Sequence, residues 1–126
     1  PLQLYPLKSF KELPHSMPYQ GAFSVNAEKI LQPYVPAIQK HQSDLTTFFP
    51  GAINTDPPSG DFSFTLYPLP RIALYYIFYL PDEEFSASVN CLFPANVTRF
   101  MPVAGLADVA EYTSRKIIEL VRKGKS

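Results

Sequence analysis

Apolar and polar residues alternate at period two along Phe62-Ser63-Phe64-Thr65-Leu66-Tyr67, the pattern of a strand with one buried face. Pro68 and Pro70 then interrupt the pairing. The run from Ile72 to Leu80, IALYYIFYL, is apolar without a break, and its β-branched and aromatic content predicts a central strand covered on both faces. Pro81-Asp82-Glu83-Glu84 marks a turn, and Ser86 to Phe93 returns as a strand with Val89, Cys91 and Phe93 on one side. The three predict an antiparallel meander. After one helical turn expected between Ala95 and Phe100, the period changes. Leu106, Val109, Ala110, Thr113, Ile117, Leu120 and Val121 recur at the spacing of an amphipathic helix. Arg115, Lys116, Arg122 and Lys123 lie towards its C-terminal end, where the helix dipole favours cations.

Proline breaks the pattern in the first half. Pro1, Pro6, Pro14 and Pro18 leave room only for a wrapping segment with a short helical turn around Ser9 to Leu13. Asn26 can cap a helix with Glu28 in its first turn, so a first helix is expected to start there. Ile30, Leu31, Tyr34, Val35 and Ile38 share its apolar face, while Pro33 and Pro36 predict a kink between two short pieces. Leu45, Phe48 and Phe49 could extend that face until Pro50-Gly51 ends it, and Asn54 to Gly60 reads as a loop. The expected class is α+β: an antiparallel sheet of at least three strands packed against an N-terminal kinked helix and a C-terminal amphipathic helix.

The 126 residues suit a single domain spanning 1–126, and 46% hydrophobic content can build one core. Eleven basic residues cancel eleven acidic ones, so no overall field draws the chain to nucleic acid or an anionic membrane. The longest apolar run has nine residues, where a membrane span needs about 20. The first thirty residues lack the pattern of a signal peptide. One cysteine allows no internal disulfide and fits a reducing, cytoplasmic setting.

Sites of chemistry are few. Cys91, on the apolar side of a strand, reads as a small core residue rather than a nucleophile. His15 and His41 belong to no ligand-spaced set, and the five glycines form neither common phosphate-binding loop, so no catalytic or metal-binding set is predicted. The Asn96-Val97-Thr98 sequon carries no weight without a secretion signal. The triplet Asp82-Glu83-Glu84 is either a solvated turn or a source of a general acid or a hard-cation site. Arg71 could hold an anion as a fork or pair across strands. Its own turn, roughly 30 Å away along the strand, is out of reach. Tyr75, Ile77 and Tyr79 share one face of the central strand, and Leu74, Tyr76, Phe78 and Leu80 the other. An aromatic face with hydroxyl handles suits either packing or a small-molecule site. The ligand-binding candidates are therefore Arg71, Tyr75, Tyr79, Glu83, Glu84 and Phe85.

Phe10 to Leu13, Tyr19-Gln20-Gly21-Ala22-Phe23, Gly60-Asp61, Tyr67-Pro68-Leu69-Pro70-Arg71, Asp82-Glu83-Glu84-Phe85, Leu92-Phe93 and Phe100-Met101-Pro102 stand in an order that resembles the family called domain of unknown function 3786. The resemblance implies a bacterial or archaeal protein, in most cases from an anaerobe, and members joined to iron-sulfur or corrinoid-protein-like modules. It also implies that an N-terminal part of the longer family domain is absent here. Pro81 stands where the family usually has glycine, Ser86 where it has proline and Pro94 where aspartate is common, so the acidic turn differs from that of relatives.

The functional expectation is a binding or accessory module. It would hold a small cofactor of unknown identity or dock on a redox or one-carbon enzyme through the Arg71, Tyr75, Tyr79 and Phe85 neighbourhood. The alternative is an enzyme with Glu83 or Glu84 as acid or base and Arg71 as anion site. A homodimer through an exposed sheet face is a third expectation.

Overall fold

The segments with period-two patterning become the middle of one sheet. In the computed structural model, which describes residues 6–55 and 59–123, β3 (Phe62–Leu69), β4 (Ile72–Tyr79) and β5 (Ser88–Pro94) form the predicted meander. Two three-residue edge strands complete it, β1 (Leu7–Ser9) beside β5 and β2 (Gly51–Ile53) beside β3, in the order β1-β5-β4-β3-β2. All pairs are antiparallel. Phe64 opposes Tyr76 and Leu66 opposes Leu74, while Cys91 opposes Tyr76 from the other side, which sets the large apolar side chains on one face.

The helices cover that face alone. α1 (Met17–Phe23) runs into a π-helical stretch, Ser24–Glu28, and a 3-10 stretch, Lys29–Tyr34, before α2 (Val35–Lys40) and α3 (Gln42–Phe48). A 3-10 turn over Val97–Arg99 leads to α4 (Val103–Lys123), whose buried stripe includes Leu106, Ala110, Ile117 and Val121. Fully burying one such aliphatic side chain contributes about 1.5–3 kcal/mol. Opposite them lie Phe64, Leu74, Tyr76, Phe78 and Phe93 of the sheet, all without solvent exposure. Phe10, on the 3-10 turn after β1, stacks on Phe23 at 4.3 Å between ring centroids and ties the first segment to the core. The domain is α+β, with a C-terminal amphipathic helix and a first helical segment broken at its prolines.

Three expectations are corrected. The first helix starts at Met17 with Pro18 in its opening turn, where the missing amide costs nothing; Asn26 lies inside the π-helical stretch and caps nothing. The N-terminal segment is not a wrap over the sheet, because Leu7 to Ser9 pair in its plane with Pro94 to Leu92. β4 is central but covered on one face only: Ile72, Leu74, Tyr76 and Phe78 are buried, whereas Ala73, Tyr75 and Ile77 are half-buried and Tyr79 is exposed. Tyrosine carries both an apolar ring and a polar tip, so a run rich in it reads as core while tolerating water. The loop expected from Asn54 to Gly60 lies partly outside the described residues, at 56–58.

Candidate functional site: the open sheet face and the β5 edge

Register assigns the face turned away from the helices. Thr65, Tyr75 and Leu92 stand in one row across β3, β4 and β5, and Ser63, Ile77 and Asn90 in the next. Among the described residues these rows hold no charged side chain; at the next row Tyr79 stands opposite Ser88, with Asp61 beside it accepting the Leu80 N–H at 2.7 Å. A loop closes one corner. Asn54 Nδ2 and the Ser59 N–H each lie 3.4 Å from Ser63 Oγ, and Ser59 Oγ lies 3.2 Å from the Tyr75 hydroxyl. Gly60 holds φ at 61°, and a Cβ there would collide with Ile77 Cγ2 and the Phe78 carbonyl, so only glycine fits this loop against β4. Beyond that corner the face is open, with Tyr67 and Tyr79 about two-fifths exposed.

The other candidates lie at the ends of β4. Arg71, exposed at the β3–β4 turn, holds its guanidinium 5.6 Å from the Phe100 ring centroid, a cation–π contact. At the far end, Asp82 accepts the amides of Glu84 and Phe85 at 2.8 and 2.7 Å and donates its own N–H to the Phe85 carbonyl. The triplet is thus a closed turn with Glu83, Glu84 and Phe85 exposed. Eight residues of β4 hold the two ends about 27 Å apart. The fold brings together Tyr75 and Tyr79 on the open face and sets the acidic turn beyond Tyr79, but it does not bring Arg71 to either acid. Among the described residues, no three of His, Cys, Asp and Glu cluster as metal ligands.

A further residue has no signature in the sequence. Glu28, at the end of the π-helical stretch, accepts the Cys91 backbone N–H at 2.8 Å across 63 residues of chain. Burial pushes its carboxyl above the usual range, against the lowering effect of that amide. Beside it opens a cleft of about 340 Å³ lined by Ser24, Glu28, Lys29 and Gln32 on one wall and Ala87 to Asn90 on the other. π-Helical turns recur at functional sites because the extra residue redirects a side chain. Reading Glu28 as a first-turn acid concealed this, since its partner lies on β5. Deeper in, Ser114 Oγ donates to the Ala27 carbonyl at 2.6 Å and the Tyr76 hydroxyl lies 2.9 Å from Ser114 Oγ. The fully buried Cys91 thiol is pushed well above its ordinary range by desolvation and the Glu28 charge.

The family model described as Domain of unknown function (DUF3786) matches residues 4–116. The chain belongs to that family. Neither a curated protein nor a solved structure matches this DUF3786 chain. No described helix is long and apolar enough to cross a membrane.

Proposed function

We propose that this DUF3786 domain works by binding rather than by catalysis, through the open face of its sheet, and that the surface it takes up is the same face of a second copy. One observation carries the reading: the rows through Tyr75 and Ile77 present half-buried aromatic and aliphatic groups with no charge among them. A two-fold axis apposes the same patch on both copies, so a face carrying charge of one sign would meet like charge. Tyrosine, serine and threonine hydroxyls both donate and accept, so they can pair with themselves. Three strands of seven or eight residues and two of three, each about 4.8 Å wide, give roughly 450 Å² per partner before side-chain relief is counted. That is the small end of specific interfaces, suited to a transient pair. The lone buried thiol suits a reducing compartment, and we place the module in the cytoplasm. The acid–base alternative needs Arg71 and the acidic turn at one pocket, and their positions at opposite ends of β4 lend it no support.

Sedimentation velocity over a concentration series tests the reading. The expected mass rises from 14.2 kDa towards twice that value, and Ile77→Lys or Tyr79→Lys holds the chain monomeric with unchanged circular dichroism. A wild-type chain that stays monomeric at the highest concentrations overturns it.

A further inference from the structure

β5 has a strand beside five of its seven residues on one side and beside three of them on the other. β4 pairs it from Leu92 to Ser88, but β1 reaches only Pro94 to Leu92 before the chain turns into helix at Phe10. The amide directions of the unpaired part follow from two bonds. The Cys91 N–H points to Glu28, away from β4. The Phe78 carbonyl, opposite Val89, accepts from Asp61 on the β3 side and so leaves Val89 unbridged from β4. In an antiparallel pair such alternation puts both backbone groups of Val89 on the same outer side as those of Cys91. No described strand pairs them, and Val89 lines the cleft of about 340 Å³.

We propose that this cleft binds the amino-terminal end of an extended peptide, paired antiparallel to β5 at Val89 with its ammonium against the Glu28 carboxylate. Size and polarity both argue for it. A strand residue fills about 160 Å³ from its rise, its spacing to the next strand and the thickness of a sheet, so the cleft takes about two residues. Strand addition to a free edge supplies main-chain bonds to whatever sequence lies there. A peptide in line with β1 runs from the Cys91 level towards Ala87. Its first residue then stands opposite Asn90, its second exchanges two bonds with Val89, and its free amine arrives beside Glu28. A parallel peptide would bring a carbonyl or carboxylate to the same acid. Glu28 spends one oxygen on the Cys91 amide and keeps acceptor capacity for a donor from outside. Lys29 on the same wall leaves the cleft without the paired carboxylates a bare metal ion would want.

The test titrates the isotope-labelled full chain with the tetrapeptide Ala-Val-Ser-Ala, carrying either a free or an acetylated amino terminus. With the free peptide, the amide signals of Val89 and Cys91 are expected to shift together and the Val89 amide to gain protection from exchange. Acetylation should weaken binding about tenfold, the equivalent of one charge-assisted bond. Glu28→Gln, which keeps an acceptor for Cys91, should lower the free peptide to the affinity of the acetylated one. Should that variant fail to fold, the comparison of the two peptides on the wild-type chain still decides. No shift at millimolar free peptide, or equal binding of the two peptides, overturns the proposal.

Discussion

Buried polar atoms in this core form a directed chain. Ser114 has one hydroxyl hydrogen and spends it on the Ala27 carbonyl, so Tyr76 must donate to Ser114 Oγ. Tyr76→Phe then loses one bond and orphans no donor, and urea unfolding should show a loss of about 1 kcal/mol. Ser114→Ala strands the Tyr76 hydroxyl and takes a donor from the Ala27 carbonyl, and should cost about 2–3 kcal/mol in the same assay. Cys91, sealed in with its thiol protonated, should resist a thiol reagent until urea unfolds the chain. Glu28 supplies a pH signature. Its folded pKa lies above the unfolded value of 4.5, so the native state binds the extra proton in the window just above that value. Stability from this group is therefore present below pH 4.5 and lost as pH rises through the folded pKa. Urea midpoints of the wild type should accordingly fall relative to Glu28→Gln as pH increases from about 4 to 7. None of these partnerships was legible in the sequence, because Glu28 and Cys91, or Ala27 and Ser114, meet only once the helices lie across the sheet.

Elements with a long, uniform period were legible. The meander of β3, β4 and β5 follows from alternation and turn residues, and α4 follows from its apolar stripe, since each pattern is repeated several times within one segment. The helical run from Met17 to Phe48 was read in outline only. Pro18 opens a helix while Pro33 and Pro36 divide one, and the same missing amide serves both uses. β1 and β2 left no trace, because three residues are too few to show a period. β2 nevertheless depends on its sequence: a side chain at Gly51 would run into the backbone of Thr65 and Leu66 on β3. Gly51→Ala should thus force the edge strand off the sheet, with a loss of about 1–3 kcal/mol in urea unfolding and faster amide exchange at Ala52 and Ile53.

A single layer of helices on a five-stranded sheet leaves the whole molecule with two unlike sides. Ion pairs lie along α4 on the helical side: Glu119 with Lys116 and Lys123, and Glu111 with Arg115, with Glu111 and Lys116 half-buried and the others exposed. Such pairs are screened by salt and contribute little, so the urea midpoint should barely move between low and high ionic strength. Self-association through the uncharged face should likewise persist at high salt, which sedimentation can check. The candidate surface was half legible: the sequence shows which residues of β4 share a side, but not that, among the described residues, only the loop at Ser59 and Gly60 lies over part of it. β1 adds a consequence for biosynthesis. Its partner on β5 is translated about 85 residues later, a delay of roughly 4–17 s at ribosomal rates of about 5–20 residues per second. Throughout that interval Leu7 to Ser9 can close no ladder, and Phe10, which can already stack on Phe23, still lacks Phe93, so the edge strand waits for β5 to be made.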